Sequence, residues 1–294
     1  MSVTRLCLKD RVAGRGINPR LPVEADSISP DRFAGLSQEE VATLPILYGR
    51  RRLTVGDLFT VEADAAGTDP DAAEEIIIEA SVDGTSDDLS HVKRIGQEMS
   101  QGRVTIRGDV GMHLGARMSG GEIVVHGDAA AWAGAHMAGG VIRVHGNAGP
   151  MLGAGYAGEK RGMRGGVILV DGDAGPRCGE RMRRGMIVVQ GDVGEFAGAR
   201  MIAGSLFAFG ALGARAGAGM KRGTIVALGG LDGDPLPVFR YACAYSPTFL
   251  RYYLLRLRAW GLPVRPEHIE GLYRRYVGDV NTLGKGEILV YDQR

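Results

Sequence analysis

Along the middle of the chain, short stretches in which apolar and polar positions alternate return at a fixed interval. The segments G-R-V-T-I-R-G-D from Gly102, G-E-I-V-V-H-G-D from Gly121 and G-V-I-R-V-H-G-N from Gly140 are versions of one unit. So are G-V-I-L-V-D-G-D from Gly166, G-M-I-V-V-Q-G-D from Gly185, G-S-L-F-A-F-G-A from Gly204 and G-T-I-V-A-L-G-G from Gly223. Their spacings, start to start, are 19, 19, 26, 19, 19 and 19 residues, so one unit carries a seven-residue insertion and the others keep register. Each unit holds two apolar residues two apart: Val104/Ile106, Ile123/Val125, Ile142/Val144, Ile168/Val170, Ile187/Val189, Leu206/Ala208 and Ile225/Ala227. That is the period of a strand with one face turned inward. A second column, Met99, Met118, Met137, Met163, Met182, Met201 and Met220, takes seven of the chain's 11 methionines. Unbranched methionine suits a narrow interior where successive neighbours must accommodate one another.

A unit this small cannot bury its own apolar face; stacked copies can, with parallel strands about 4.8 Å apart. The predicted fold is therefore mainly β: a right-handed parallel β-helix solenoid with 19-residue coils, a rod about 30 Å or longer, plus a C-terminal helical cap. A hexapeptide acyltransferase helix would need an 18-residue coil, and a pectate-lyase-like enzyme longer coils with a clustered acidic site. Neither fits. The recurrent glycines are expected at corners that need positive φ. Asp109, Asp128, Asn147, Asp173 and Asp192 follow the second glycine of five units and are expected to hydrogen-bond the backbone of the turn. A calcium reading lacks the G-G-x-G-x-D nonapeptide.

Three regions follow: an irregular N-terminal segment 1–72, the β-helix 73–230, and 231–294 as a helical cap with a closing strand. In the first, Leu53–Val61 reads as a strand, Ser37 with Glu40 as a capping box, and 67–73 as a loop. Glu75–Ala80 reads as an early coil. In the last, Ser246-Pro247 opens a helix that ends at Gly261, a second helix runs from Pro266 to Val277, and 284–291 closes as a strand. Such a tail would cover an end or a side of the rod, whose strand edges would otherwise be exposed. Segment 239–276 holds nine aromatics and seven arginines against two glutamates; lacking a basic run, it reads as packing or as a contact with another subunit, and not as a nucleic-acid surface.

Composition removes several classes. Glycine fills 47 of 294 positions without a three-residue period, which excludes collagen, and 45% hydrophobic residues argue against disorder. Net charge is +1, so no global field draws nucleic acid or anionic lipid. No apolar run reaches the ~20 residues of a membrane span, and the N-terminus lacks a signal-peptide core; a cytoplasmic protein is expected. Cys7, Cys178 and Cys243 lie far apart, without a disulfide framework or a C-x-x-C pair.

Chemistry-bearing constellations are few. His126 and His145 occupy one outward position on adjacent units, with Asp171 on the next. They could share a metal, but Arg107 in the same column disfavours a cation, and an exposed polar ladder is the expected outcome: no metal. Cys178 aligns with Leu114, Ala133, Leu152, Ala197 and Ala216 and is a core position. Arg117, His136, Arg181 and Arg200 form a basic column that could meet an acidic partner or solvent. The outward mid-strand column turns apolar along the chain, and Val124, Leu169, Val188, Phe207 and Val226 need covering by the C-terminal helices or another subunit. The insertion after Tyr156, with Glu159, Lys160 and Arg161, projects as a polar loop of the kind that carries binding in solenoids. No catalytic dyad, nucleophile motif or phosphate loop appears, and no catalytic residue is assigned.

The coil G-x-I-x-V-x-G-[DN]-x-G…G-A-x-M, the interrupted third unit and the tail G-D-V-N-T-L-G-K-G-E-I-L together resemble the C subunit of formylmethanofuran dehydrogenase, over 50–294. That family shares its β-helix with the C-terminal domain of the glutamate synthase large subunit. The resemblance implies one of two settings. In methanogens, the C subunit belongs to a molybdenum or tungsten enzyme that fixes carbon dioxide onto methanofuran. In methylotrophic bacteria, the similar subunit belongs to the formyltransferase/hydrolase complex, which carries formyl-tetrahydromethanopterin through a methanofuran-like carrier to formate in formaldehyde oxidation. The arginine-rich, lysine-poor composition favours the bacterial complex. The resemblance further implies a non-catalytic scaffold with no cofactor of its own. Its partners would be an amidohydrolase-like hydrolase, a formyltransferase and a further subunit. An independent ligand-binding or hydrolytic solenoid is the alternative of another class.

Overall fold

The structure, a computed structural model, describes residues 2–9, 11–12, 15–16, 18, 21–63, 74–80 and 88–292; the loop expected at 67–73 lies outside them. The chain is mainly β, and its largest element is a sheet of thirteen strands, mostly parallel. At its centre Arg103–Arg107, Glu122–Val125, Val141–Val144, Val167–Val170, Met186–Val189, Ser205–Ala208 and Arg222–Ala227 lie side by side in chain order. Register is conserved from pair to pair: Val104 faces Ile123, Ile123 faces Ile142, Ile142 faces Ile168, and Ile168 faces Ile187. Leu206 and Ile225 complete the row. A second run of parallel bridges, Val110–Ala129–Ala148–Ala174–Val193–Leu212–Leu231, joins the same units. Each unit therefore meets its neighbours at two places.

The interior between these two runs is filled by like side chains set over like. All seven methionines of the column are fully buried, as are Ile123, Ile142, Ile168 and Ile187. Each such side chain contributes about 1.5–3 kcal/mol of burial, and only the stack supplies it. The two glycines of a unit answer to different constraints. Gly140, with φ 83°, opens its strand in the left-handed region, and a Cβ there would lie 2.7 Å from Met118 Cε of the preceding unit. Gly172 has no such φ; a Cβ on it would stand 2.5 Å from Asn147 Oδ1, so close approach of the neighbouring side chain excludes one.

That contact identifies what the Asp/Asn column does. Asp109 Oδ1 accepts from Asp128 N at 2.7 Å, Asp128 Oδ1 from Asn147 N at 2.7 Å, and Asn147 Oδ1 from Asp173 N at 2.9 Å. Asp173 Oδ1 then accepts from Asp192 N, and Asp192 Oδ1 from Ala211 N, both at 2.7 Å. The side chains reach across to the following unit instead of capping their own turn, and the parallel stacking puts the next amide within reach.

Beyond the repeats the sheet continues at both ends, and several sequence expectations need correction. The first 72 residues are not irregular throughout. Ser2–Leu8 pairs in parallel with Glu74–Glu79 and antiparallel with Phe59–Ala63, extending the sheet. Glu74–Glu79 pairs in parallel with Arg103–Arg107. The strand expected over Leu53–Val61 is interrupted: Arg51–Thr54 and Phe59–Ala63 are strands, and Val55–Leu58 is a helical turn. Thr54 and Asp57 make a reciprocal capping box that bends the chain there. The Ser37–Glu40 box is formed. At the other end Lys285–Tyr291 pairs in parallel with Arg222–Ala227, followed by Tyr273–Gly278 and Arg240–Tyr245, both antiparallel. The helix expected over Pro266–Val277 stops at Glu270, and Tyr273–Gly278 is a strand. Its Y-R-R-Y-V sequence favours a pleated surface, and two strands flank it.

The long helix is Thr248–Ala259, which starts after Pro247 and ends at Trp260 before Gly261, whose φ is 83°. Its Leu250, Leu254 and Leu257 pack against Val188, Phe207 and Val226. These face away from the inward Ile187, Leu206 and Ile225 because strand side chains alternate. One face of the sheet is thus closed by the chain itself.

Candidate functional site

The seven extra residues leave the stack after Gly155 and return at Met163, which reoccupies the methionine column with no exposure. The registers on either side are undisturbed, since Val141 pairs with Val167 as though the loop were absent. Tyr156 stands half-buried at the loop's root. Its backbone N–H donates to His136 Nε2 at 2.9 Å, and its hydroxyl lies 3.0 Å from His113 Nδ1. Trp132 and His136 approach the same ring, with centroids 5.0 and 4.9 Å away. An aromatic cluster from three successive units therefore anchors the loop.

Above this anchor Arg117, His136, Gly158, Glu159, Lys160, Arg161 and Arg164 line a cleft of about 500 Å³. Arg117 and His136 are held at φ 62° and 58°. Their N–H groups donate to Ala135 O and Ala154 O of the following unit, which fixes a conformation that costs a non-glycine residue about 1–2 kcal/mol. Burial pushes the His136 pKa below its ordinary value; Arg117 and Arg164 push the same way, against Glu159. Burial lowers His113 as well, helped by Arg94, and raises Tyr156. Both imidazoles are thus neutral near pH 7. With Nε2 accepting, the His136 proton is on Nδ1. The loop residues Glu159, Lys160 and Arg161 are exposed, and Glu159 is tied down through its carbonyl, which accepts from Arg181.

The same edge continues past the cleft but changes character. Arg177, Arg181 and Arg200 all lie within 3.9 Å of the carboxylate of buried Glu180. Arg215 pairs with Glu195 at 3.3 Å. Sequence reasoning singles out Arg117, His136, Arg181 and Arg200 but does not join His113 and Trp132 to them. These two occupy one register, with Met151, Arg177, Phe196 and Arg215 following on later units; following that column would have found them.

His126, His145 and Asp171 do come together. The two imidazoles stack with centroids 5.2 Å apart, and His145 Nδ1 is 2.6 Å from Asp171 Oδ2. Asp171 also accepts from Arg143 Nη2 at 3.3 Å and from Gln190 Nε2. Stacked rings do not converge on one point, and the carboxylate is engaged by a guanidinium. Among the described residues no group of three or more His, Cys, Asp or Glu side chains is arranged to hold a metal ion. Burial pushes the Cys178 thiol up to about 12, which rules out a thiolate there at ordinary pH.

Of the apolar outward residues, Val188, Phe207 and Val226 are at most 1% exposed, under the Thr248–Ala259 helix. Leu169 lies at the border of that cover, where it lines a groove of about 350 Å³ with Glu122, Val141, Arg143, Val167, Arg256 and Trp260. Val124, further from the helix, is 6% exposed.

No family model matches the chain. Among curated proteins it is 43% identical over 96 residues to the C subunit of the tungsten-containing formylmethanofuran dehydrogenase 2 of Methanothermobacter marburgensis, covering 33% of this chain and 32% of that protein. It is 41% identical over 94 residues to the C subunit of the molybdenum-containing formylmethanofuran dehydrogenase 1 of Methanosarcina barkeri, covering 32% and 28%. The chain thus spans about a third of the length of these curated relatives. Among solved structures it is similar to a chain in the X-ray crystal structure of the formyltransferase/hydrolase complex (FhcABCD) from Methylorubrum extorquens in complex with methylofuran. The TM-score is 0.85 and the identity 35%, over 98% of this chain and 100% of that one. Identity sustained over the whole of that chain, joined to the local identity with the dehydrogenase C subunits, means that the protein belongs to the family of formylmethanofuran dehydrogenase C subunits.

Proposed function

We propose that this chain is the non-catalytic, β-helical scaffold subunit of a formyltransferase/hydrolase complex. In that complex formyl-tetrahydromethanopterin is converted, by way of a formylmethanofuran-like intermediate, to formate in the cytoplasm. The observation that carries the proposal is the match along the full chain to a component of such a complex. The architecture we infer is a right-handed parallel β-helix of 19-residue coils with a C-terminal helical cap, supported by the unbroken pairing register from Val104 to Ile225. A stack whose interior is filled with methionine and isoleucine has no room for a reaction centre. Its worth to an assembly is rigidity and a long surface, with formyl transfer and hydrolysis left to other subunits.

The test is native mass spectrometry of the protein from its source, with activity assays on the isolated chain. Stable larger subunits should co-purify, and the chain alone should show neither formyl transfer nor hydrolysis. A lone species of 31.2 kDa, or turnover by the isolated chain, would overturn the proposal in favour of an independent binding or hydrolytic solenoid. The higher local identity to the dehydrogenase subunits supports a second reading, the C subunit of a molybdenum or tungsten formylmethanofuran dehydrogenase. A co-purifying molybdenum or tungsten protein would select it.

A further inference from the structure

The cleft at the insertion gathers several cations in one concavity with a single carboxylate among them. Arg117, Lys160, Arg161 and Arg164 line it with His136, and none of the four is in an ion pair among the described residues. Farther along, Arg177, Arg181 and Arg200 share Glu180, Arg215 has Glu195, and on the sheet Arg107 has Glu79. Glu159 is the single acidic residue of the lining. The cleft therefore sets four positive charges against one carboxylate in a concavity of about 500 Å³, where low-dielectric walls strengthen their common field.

The backbone sets these groups out along the edge: Arg117 and His136 hold a left-handed φ at one position of successive units, a position that Arg181 and Arg200 also hold outside the cleft. The positive groups run from Arg117, past His136 on the next unit, to the insertion, where Lys160, Arg161 and Arg164 lie within five residues of one another. A single small anion would meet a few of them. An extended peptide, with same-side residues recurring about every 6.7 Å, would meet them all.

We infer that the cleft of Arg117, Lys160, Arg161 and Arg164 is the docking site for an extended acidic segment of a partner protein in the complex, a run of Asp and Glu carboxylates lying along this edge. Arginine forks take carboxylates in bidentate pairs, and the His136 Nδ1–H adds a neutral donor at the wall. The inference rests on the subunit assignment proposed above.

Lys160 makes it testable in the assembly itself, because it is one of only five lysines in the chain. The intact complex and the isolated full chain are treated with an amine-acetylating reagent, and the complex also with a carbodiimide, which joins an amine directly to a contacting carboxylate. Lys160 should be acetylated at least about tenfold more slowly in the complex, with protection lost at about 0.5 M salt. Its carbodiimide product should link to Asp or Glu of another subunit, and in a complex carrying Arg117→Gln, Arg161→Gln and Arg164→Gln, Lys160 should be acetylated nearly as fast as in the isolated chain. An intact complex in which Lys160 reacts as fast as in the isolated chain overturns the docking site and leaves the subunit assignment standing. Protection that survives salt and yields no carboxylate link overturns the acidic character of the occupant. Absence of any co-purifying subunit overturns the subunit assignment instead.

Discussion

The stack has two outer surfaces that could have met a partner, and the chain treats them differently. On the sheet face the outward residues become apolar from Leu169 through Val188, Phe207 and Val226, and the Thr248–Ala259 helix lies over them with Leu250, Leu254 and Leu257. On the insertion edge the outward residues are arginine, lysine and histidine, and no described element of the chain covers the cleft they line. Apolar surface left in water costs about 25 cal/mol for each Å², so a chain that carries such a face supplies its own cover. Solvated charge costs little until it is desolvated and can wait for a partner. Here the apolar outward face of the repeats is closed within the chain, and the charged cleft is left open to a partner.

The comparison breaks most directly on stability. Leu254→Ala should cost about 2–5 kcal/mol in urea unfolding, whereas Lys160→Ala should change stability by less than about 0.5 kcal/mol. Equal losses would mean that the edge is as structural as the helix. Between these limits lies the stack itself. Gly172→Ala places a Cβ 2.5 Å from Asn147 Oδ1 and should cost about 1–3 kcal/mol. Combining it with Asn147→Ala should recover part of that loss, seen as a coupling in a double-mutant cycle. Asp173→Ala removes the acceptor of Asp192 N, an exposed bond, and should cost about 0.5–1.5 kcal/mol.

The edge should also respond to pH. His113 and His136 have depressed pKa values in the folded chain, so below about 6.5 the unfolded chain binds the more protons. Stability should therefore fall as pH drops through that value, and His136→Gln should flatten the slope in a series of thermal melts between about pH 7.5 and pH 5. A slope unchanged by this substitution would remove His136 from the account. Smallest of all, Arg107→Ala breaks an exposed 2.8 Å pair with Glu79 and should cost about 0.2–1 kcal/mol in the same urea titration.

Much of the fold was legible because repetition multiplies weak signals. One V-x-I pair is ambiguous, but seven in register with a methionine column specify which side chains overlie which. The ends lacked that amplification. Leu53–Val61 has strand composition, yet the Thr54–Asp57 box inside it turns the chain. Tyr273–Gly278 follows a helix-compatible run, but the flanking strands claim it. The role of the Asp/Asn column was visible as hydrogen bonding but assigned to the wrong partner, because only a parallel stack brings the next unit's amide so near. Of the site, the insertion and the basic column were separable in the sequence. That Tyr156 joins them through His113 and His136 depends on the loop's path, which no periodicity encodes.

The aspartate rungs also have a direction. Asp109 serves the amide of Asp128, Asp128 that of Asn147, and so on to Ala211; through this column each donor looks back toward the N-terminus for its acceptor. A growing chain leaves the ribosome in that same order, so every newly synthesised corner finds its carboxylate or amide oxygen already standing, and assembly can proceed like masonry, one course upon the last.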